Sequence, residues 1–288
     1  MDHEHVRHRV GEVSLHVVEA GPADGPLAIL LHGFPEFWYG WRHQIGPLAA
    51  AGFRVVAPDQ RGYNLSDKPQ GVEAYAVDRL AADVTGLADV LGRERFFLAG
   101  HDWGGVVAWR VASRWPERVE RLAILNAPHP QAFGPYARAH PGQALRSAYV
   151  GFFHLPLVPE AMLRVGGFAL MRNALERSSR PGAFTPEDLA RYKEAWREPG
   201  ALTAMLNWYR ALRLRPARAG GETPHTRIRC PTLVIWGRRD AALEPGLAEA
   251  SAALCDDARI VWHDRATHWV QHDEPEAVNA ALVDFLKA

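Results

Sequence analysis

Short apolar runs alternate with amphipathic stretches over roughly the first half of the chain. Six runs have the length and composition of β-strands and lie at residues 6–10, 15–19, 27–31, 54–57, 95–99 and 122–125. Three stretches between them carry apolar side chains at helical spacing, at residues 38–51, 75–91 and 104–115. Gly11 and Glu12 separate the first two strands and predict a hairpin. The alternation of strands with helices predicts βαβ units and a mostly parallel central sheet flanked by helices.

The regular pattern stops near Asn126. Up to about Pro224 the chain has many prolines and no convincing strand, but it has amphipathic stretches at residues 186–197 and 202–214. Strand patterns then resume at residues 232–237 and 259–263, and a helix pattern closes the chain at residues 275–286.

The interruption predicts a helical insertion in one α/β domain. We expect a core formed by residues 1–130 and 225–288, with a helical cap formed by residues 131–224. Such an insertion would cover the carboxyl ends of the strands, where open α/β sheets bind their ligands.

Composition limits the classes of partner. With 288 residues, 48% of them hydrophobic, the chain is long enough for one large domain with a cap. Its formal net charge of zero argues against nucleic acid or an anionic membrane as the main partner. The polar first residues lack the apolar core of a signal peptide, and no apolar run has the length of a membrane span. We therefore expect a cytoplasmic protein, for which a homodimer stays open.

The sharpest motif is Gly-His-Asp-Trp-Gly-Gly at residues 100–105, between a predicted strand and a predicted helix. The nucleophile elbow of many hydrolases has the pattern Gly-x-Ser-x-Gly in the same context. An isolated Gly-x-Asp-x-Gly is usually only a loop, but here a predicted strand precedes the motif, a predicted helix follows it, and candidate catalytic partners come later in the expected order. The pattern predicts that Asp102 is a nucleophile.

A carboxylate nucleophile changes the reaction class. Attack on an ester or amide carbonyl would give an anhydride, which is a poor intermediate. Attack on an sp³ carbon gives an alkyl ester, which water can then hydrolyse. The substrate must therefore carry a leaving group on carbon, either an epoxide oxygen or a halide.

Hydrolysis of that ester needs a base, and the base needs an acid to orient it. His268 follows the last predicted strand, and a histidine is suited to general base catalysis near neutral pH. Asp240 follows the preceding strand and keeps the order nucleophile, acid, histidine. The other position where such enzymes place the acid holds Asn126, which cannot carry the charge. We therefore assign the acid to Asp240.

The oxyanion hole is assigned to two backbone N–H groups. In hydrolases with such an elbow, one donor follows the nucleophile and the other lies in the loop after an earlier strand. These donors are Trp103 and Phe34 in this chain.

The motifs resemble a known family. The sequence His-Gly-Phe-Pro-Glu-Phe-Trp-Tyr-Gly-Trp-Arg at residues 32–42, together with residues 100–105, closely resembles the α/β-hydrolase-fold epoxide hydrolases. The similarity continues through residues 115–119 and 268–271, so it covers nearly the whole chain. It implies an α/β-hydrolase fold with an inserted helical cap and the hydrolysis of epoxides to vicinal diols.

The resemblance also implies two cap tyrosines that hold the epoxide oxygen and donate a proton as the ring opens. Residues 207–210, Asn-Trp-Tyr-Arg, match the segment that carries one of them, which is Tyr209. Residues 149–156 fit the pattern that carries the other, which is Tyr149. We expect both tyrosines, with Phe34 and Trp103, to line the substrate site. The family resemblance gives no such role to Tyr136 or Tyr192, which we interpret as packing residues.

Two alternatives stay open. A haloalkane or haloacid dehalogenase would use the same nucleophile, but Phe34 stands where haloalkane dehalogenases often have a halide-binding asparagine, and Trp103 and Val106 stand where haloacid enzymes place arginines. A non-catalytic relative that only binds a small molecule would have no need of Asp102, Asp240 and His268 together.

No cofactor or metal is expected, because nothing in the sequence has the spacing of metal ligands. The many aromatic and apolar residues of the cap favour an apolar or aromatic epoxide as the substrate.

Overall fold

A computed structural model of the protein describes residues 3–214 and 227–288. The expected end of the cap, at residues 224 and 225, lies outside this range. None of the described helices is both long enough and apolar enough to cross a membrane.

An eight-stranded sheet forms the centre of the molecule. Its strands are β1 (Glu4–Val10), β2 (Val13–Ala20), β3 (Leu27–Leu31), β4 (Arg54–Pro58), β5 (Phe96–His101), β6 (Val119–Leu125), β7 (Thr232–Gly237) and β8 (Ala258–His263). Their spatial order is β1-β2-β4-β3-β5-β6-β7-β8. Strand β2 pairs antiparallel with β1 and β4, and all other neighbours are parallel. The prediction of a mostly parallel sheet is confirmed.

The central strands are continuous apolar runs because both faces of the sheet are covered. Every residue of β3, β5 and β7 is buried, as expected for parallel strands between two layers of helices. Strand β1 lies at the edge and alternates exposed with half-buried positions. Three helices precede the cap: α1 (Arg42–Ala50), α2 (Val77–Val90) and α3 (Trp103–Arg114). A 3-10 turn precedes each of the first two helices, so the predicted helices at 38–51 and 75–91 both begin later than expected.

The described part of the segment between β6 and β7 is mostly helical, apart from its loops and an isolated β-bridge at Ile228. It contains α4 (Pro130–Ala139), α5 (Pro141–Arg146), α6 (Ala148–Phe153), α7 (Val158–Ser178), α8 (Pro186–Arg197) and α9 (Ala201–Arg210). Helix α7 is interrupted at residues 165–168, where Gly166, Gly167 and Phe168 have positive φ. Three further helices complete the core: α10 (Gly246–Ala252), α11 (Val270–Asp273) and α12 (Pro275–Lys287).

Local sequence and long-range contacts together fix α8 against the core. Thr185 begins the helix with a capping box, because its hydroxyl accepts from the Asp188 N–H and Asp188 Oδ2 accepts from the Thr185 N–H. The Asp188 carboxylate also accepts from the Tyr39 hydroxyl at 2.9 Å and pairs with Arg42 of the core at 3.3 Å. The cap is therefore held to the core by buried polar contacts as well as by apolar packing.

Candidate active site

Asp102 occupies a strained turn between β5 and α3. Its φ of 50° and ψ of −120° lie outside the regions that residues other than glycine normally adopt. The turn is tight because its flanking glycines lack side chains. A Cβ on Gly104 would lie 2.1 Å from the carbonyl oxygen of Leu31, and one on Gly100 would lie 2.4 Å from that of Gly104. The geometry is that of a nucleophile elbow with a carboxylate at its tip.

The two oxygens of the Asp102 carboxylate have different partners. The backbone N–H of Phe34 donates to Asp102 Oδ1 at 2.8 Å, while Asp102 Oδ2 lies 3.6 Å from His268 Nε2. Gly33 allows this approach, because a Cβ there would lie 2.4 Å from Asp102 Cβ. Trp103 is the first residue of α3, so its N–H has no partner within the helix. Of the two backbone donors proposed from the sequence, the N–H of Phe34 bonds the carboxylate directly, and the N–H of Trp103 belongs to the residue that follows Asp102 in the chain.

Asp240 and His268 are joined by a short hydrogen bond of 2.7 Å between Asp240 Oδ2 and His268 Nδ1. Both side chains are buried. The other oxygen of Asp240 accepts from the backbone N–H groups of Ala242 and Leu243, at 2.7 and 3.0 Å. These bonds hold the carboxylate in one orientation, which in turn fixes the ring of His268 with Nε2 towards Asp102.

Two carboxylates determine the charge of His268. Burial by itself disfavours the imidazolium, but the charges of Asp240 and Asp102 outweigh it and raise the pKa of His268 to about 10. Burial would likewise raise the pKa of Asp240, yet the charge and hydrogen bond of His268, together with the Asn126 amide and the Ala242 N–H, lower it. The free site therefore holds a protonated histidine between two carboxylates at neutral pH.

Asn126 belongs to this site, although the sequence analysis considered it only as a position that lacks an acid. Its amide Nδ2 donates to Asp240 Oδ2 at 2.8 Å, and its Oδ1 accepts from the Gly237 N–H at 2.9 Å. Asn126 has a φ of 42°, a conformation that asparagine tolerates better than most residues. The sequence signal for Asn126 was its position directly after β6, the strand that pairs with the elbow strand β5. We infer that Asn126 positions Asp240.

A second missed residue, Glu36, is fully buried in the loop that follows β3. Its carboxylate accepts from the hydroxyl of Tyr192 at 2.6 Å, from Gln271 Nε2 at 3.1 Å and from His272 Nε2 at 2.7 Å. Glu36 Oε2 also lies 3.2 Å from Nδ1 of His101, the residue before the nucleophile. Burial would raise the pKa of Glu36, but these partners hold it well below its ordinary value.

The Glu36 cluster reaches both the cap and the catalytic histidine. Tyr192 lies on α8, so the packing role proposed for it includes a buried hydrogen bond to the core. On the other side, His101 Nε2 lies 2.9 Å from the backbone oxygen of His268. Only the structure reveals this arrangement, because Glu36 and His272 are distant in sequence.

The two cap tyrosines proposed from the sequence line the same cavity as Asp102. The ring of Tyr209 packs edge-on against Phe34 and Trp103, with centroids 5.3 and 5.0 Å apart, and lies 6.2 Å from the ring of Tyr149. Burial, the neighbouring phenol and the charge of Asp102 raise the pKa of Tyr209 well above its ordinary value. The pKa of Tyr149 is also raised, mainly by enclosure in protein and then by the nearby carboxylates. Both phenols therefore stay protonated and can donate.

A cavity of about 680 Å³ connects these groups. Asp102, His268, Tyr149 and Tyr209 converge on it, and most of the remaining wall is apolar. The accessible surface of Tyr149, 41% of its total, includes the part that faces this cavity. Within residues 3–214 and 227–288, no group of three or more His, Cys, Asp or Glu side chains is arranged to hold a metal ion.

Comparisons with known proteins agree with this geometry. Residues 26–275 match the family described as alpha/beta hydrolase fold. The chain is 48% identical to the AB hydrolase superfamily protein YfhM of Bacillus subtilis, over 96% of this chain and 95% of that protein. It is 38% identical to Epoxide hydrolase 4 of Mus musculus, over 99% of this chain and 79% of that protein.

A solved structure gives the same result. It is described as one of the novel epoxide hydrolases from metagenomes of hot environments, and it superposes with a TM-score of 0.87 at 40% identity, over 99% of both chains. The fold, the elbow and the extent of the similarity lead to one conclusion: the chain belongs to the α/β-hydrolase family, in the group that contains the epoxide hydrolases.

Proposed function

We propose that this protein is an epoxide hydrolase that opens epoxides to vicinal diols through an ester with Asp102. The observation that carries the proposal is a carboxylate at the tip of the elbow that lines one cavity together with two phenols. A carboxylate suits attack on an sp³ carbon, and phenols suit an oxygen that becomes an alkoxide as it leaves.

In the first step, Asp102 Oδ2 attacks the less hindered epoxide carbon from the side opposite the C–O bond that breaks. The Phe34 N–H holds Oδ1, so Oδ2 is the oxygen that is available to attack. Tyr149 and Tyr209 bind the epoxide oxygen, and one of them gives it a proton as the bond breaks. The products of this step are an alkyl ester of Asp102, an alcohol and a phenolate. The phenolate then recovers a proton from His268, which becomes neutral.

The ester itself prepares His268 for the second step. Esterification neutralises Asp102 and thereby removes one of the two charges that raise the pKa of His268. Neutral His268 then takes a proton from a water molecule, which attacks Cγ of the ester. Oδ1 carries the developing negative charge, which the Phe34 N–H that already bonds this oxygen would stabilise together with the Trp103 N–H. Asp240 stabilises the imidazolium that forms. The bond between Cγ and the ester oxygen then breaks, and the departing alkoxide takes the proton from His268. Asp102, regenerated as the acid, passes its proton to His268, so the starting charges are restored as the diol leaves.

The substrate class follows from the wall of the cavity. Apart from the catalytic groups and two serines, Ser147 and Ser178, the side chains that line it are apolar. An epoxide with an aliphatic or aromatic substituent would bury that substituent against them, which is favourable in proportion to the apolar area removed from water. We therefore propose apolar or aromatic epoxides as substrates.

The test uses His268→Gln with styrene oxide and intact-mass spectrometry. The variant should gain the mass of one substrate molecule, because the ester forms and its hydrolysis lacks a base. Asp102→Asn/His268→Gln is the matched control and should gain none. Absence of an adduct in His268→Gln, while the wild-type protein consumes styrene oxide, would contradict the mechanism.

The same preparation distinguishes the dehalogenase alternative. Wild-type protein incubated with chloroacetate or a chloroalkane should release no halide at the enzyme concentration that converts styrene oxide to its diol. Halide release without diol formation would assign the other leaving group to Asp102.

A further inference from the structure

Helices α5 and α6, which carry the chain to and past Tyr149, are short and mostly exposed. Each has six residues, and isolated helices shorter than about 12 residues are marginal in water. Of the residues of α5, all of which the structure describes, Gln143 alone is buried, and of those of α6 Phe153 alone. The position of Tyr149 therefore depends on the contacts of very few side chains.

The side-chain amide of Gln143 bonds to three partners. Its Nε2 donates to the hydroxyl oxygen of Ser147 and to the backbone oxygen of Ala242, both at 2.9 Å. Its Oε1 accepts from the backbone N–H of Glu244 at 2.8 Å. Gln143 has no accessible surface, so water does not compete for these bonds. A substitution that removes the amide would leave backbone groups of the loop without these partners, which is costly.

The three bonds of Gln143 join two walls of the catalytic cavity. Ser147 directly precedes α6 and lies two residues before Tyr149, and both residues line the cavity. Ala242 lines it too, in the loop after β7 that carries the proposed acid. Arg146 adds bonds from α5 to the backbone oxygens of residues 240 and 241, both at 3.0 Å, but its side chain is largely exposed.

The loop is the better anchored of the two segments. The carboxylate of Asp240 accepts from the N–H groups of Ala242 and Leu243 and also bonds Asn126 and His268. These four bonds do not involve Gln143. Loss of the Gln143 amide should therefore displace α6 and leave the orientation of the acid unchanged.

We propose that Gln143 is a positioning residue that holds the Tyr149 hydroxyl where it can donate to the epoxide oxygen. The inference rests on the proposed function, because it takes protonation of the leaving oxygen to be the task of the cap phenols. A proton donor has to lie within hydrogen-bond reach of its acceptor, and a displacement of about 1 Å can cost roughly 100-fold in rate. Gln143 would thus act on the first chemical step, through Tyr149, and not on the second.

The kinetic test uses Gln143→Met, which keeps the length of the side chain and removes its amide. In single turnovers with styrene oxide, followed by tryptophan fluorescence, alkylation of Asp102 should slow roughly tenfold. Hydrolysis of the ester should keep its rate, because the bonds of Asp240 remain. In a Tyr149→Phe background, Gln143→Met should slow alkylation no further, because the phenol that it positions is already absent.

Hydrogen exchange tests the anchoring without any turnover. In the free protein, peptides from residues 147–153 should exchange faster in Gln143→Met than in the wild type, and peptides from β5 and α3 should keep their rates, as measured by mass spectrometry. This measurement separates the two proposals. A wild-type protein that forms no ester would contradict the proposed function, whereas unchanged exchange of residues 147–153 would contradict the role of Gln143.

Gln131→Met is the matched control, because it makes the same change at an exposed glutamine of α4. It should keep both rates and the exchange pattern. If Gln143→Met does not fold, Ser147→Ala replaces it. That variant removes one of the three bonds and should slow alkylation roughly threefold, again without effect in the Tyr149→Phe background. The proposal is overturned if the substitution slows both steps alike, or slows alkylation equally whether or not Tyr149 has its hydroxyl.

Discussion

The backbone N–H of Phe34 donates to Oδ1 of Asp102 at 2.8 Å in the free site. In the free site, Oδ1 of the proposed nucleophile is therefore already bonded to an N–H group that would stabilise it as the oxyanion during ester hydrolysis. The other, Oδ2, lies 3.6 Å from His268 Nε2. The strained turn at Asp102 and the absence of a side chain at Gly33 make this arrangement possible.

Isotope labelling tests whether Asp102 is alkylated. In a single turnover in H₂¹⁸O with excess enzyme, the diol should contain no label, because its new oxygen comes from the carboxylate. The label should appear in the proteolytic peptide that carries Asp102, since water attacks the ester at Cγ. Mass spectrometry of the diol and the peptide measures both. Label in the diol after the first turnover would instead indicate direct attack of water on the epoxide.

Removal of the cap phenols should slow the first chemical step. Tyr209→Phe and Tyr149→Phe should each lower the rate of alkylation about 10- to 100-fold, since one phenol remains, and the double variant should lose nearly all activity. Stopped-flow measurement of the tryptophan fluorescence change under single-turnover conditions follows this step. Tyr136→Phe is the matched control, because the hydroxyl of Tyr136 bonds to Glu244 and the residue does not line the cavity. Equal effects of all three substitutions would show that packing, and not proton donation, is responsible.

The contact between Asn126 and Asp240 predicts that the carboxylate that orients His268 can be supplied from position 126 in place of position 240. Asp240→Asn should lower the rate of ester hydrolysis strongly, because His268 loses the partner that stabilises its charged form. Asn126→Asp in the same protein restores a carboxylate next to the oxygen that bonds His268, since Asn126 Nδ2 lies 2.8 Å from Asp240 Oδ2. We expect the double variant to recover at least about tenfold in turnover relative to Asp240→Asn. If Asn126→Asp gives no recovery, Asn126 contributes only to folding.

The raised pKa of His268 predicts how stability changes with pH. The pKa is about 10 in the folded protein and 6.5 in the unfolded chain, so the folded state holds a proton that the unfolded state has released between these values. The stabilisation is therefore complete below about pH 6.5 and is lost as pH rises towards 10. The difference in the free energy of unfolding between wild type and His268→Gln should shrink over this window, measured by urea denaturation at several pH values. A difference that stays constant from pH 6.5 to 10 would mean that His268 is neutral in the free protein.

The sequence alone led to the fold class and to the candidates for catalysis. Fully buried parallel strands such as β3, β5 and β7 have to be continuous apolar runs, and these are visible without a structure. The elbow is equally local, because its glycines and its aspartate are consecutive. Asp240 and His268 could be proposed because chain order restricts which strand ends can supply an acid and a base.

Contacts between distant segments could not be predicted in this way. Glu36 lies in the motif that carries the family resemblance, yet its partners come from α8, from α11 and from the end of β5. From the sequence, Asn126 was only a position that lacks an acid, whereas in the structure its amide bonds the carboxylate of Asp240.

The sequence by itself determined the mostly parallel sheet flanked by helices, and it led to the proposals of an inserted cap and of a carboxylate nucleophile, because these follow from short-range patterns and from the chemistry of single residues. Only the tertiary structure decided that one oxygen of Asp102 faces Phe34 and the other His268, and that His268 lies between two carboxylates. The physical reason is that charge, hydrogen bonding and exposure depend on distances across the fold, and a linear pattern does not specify those distances.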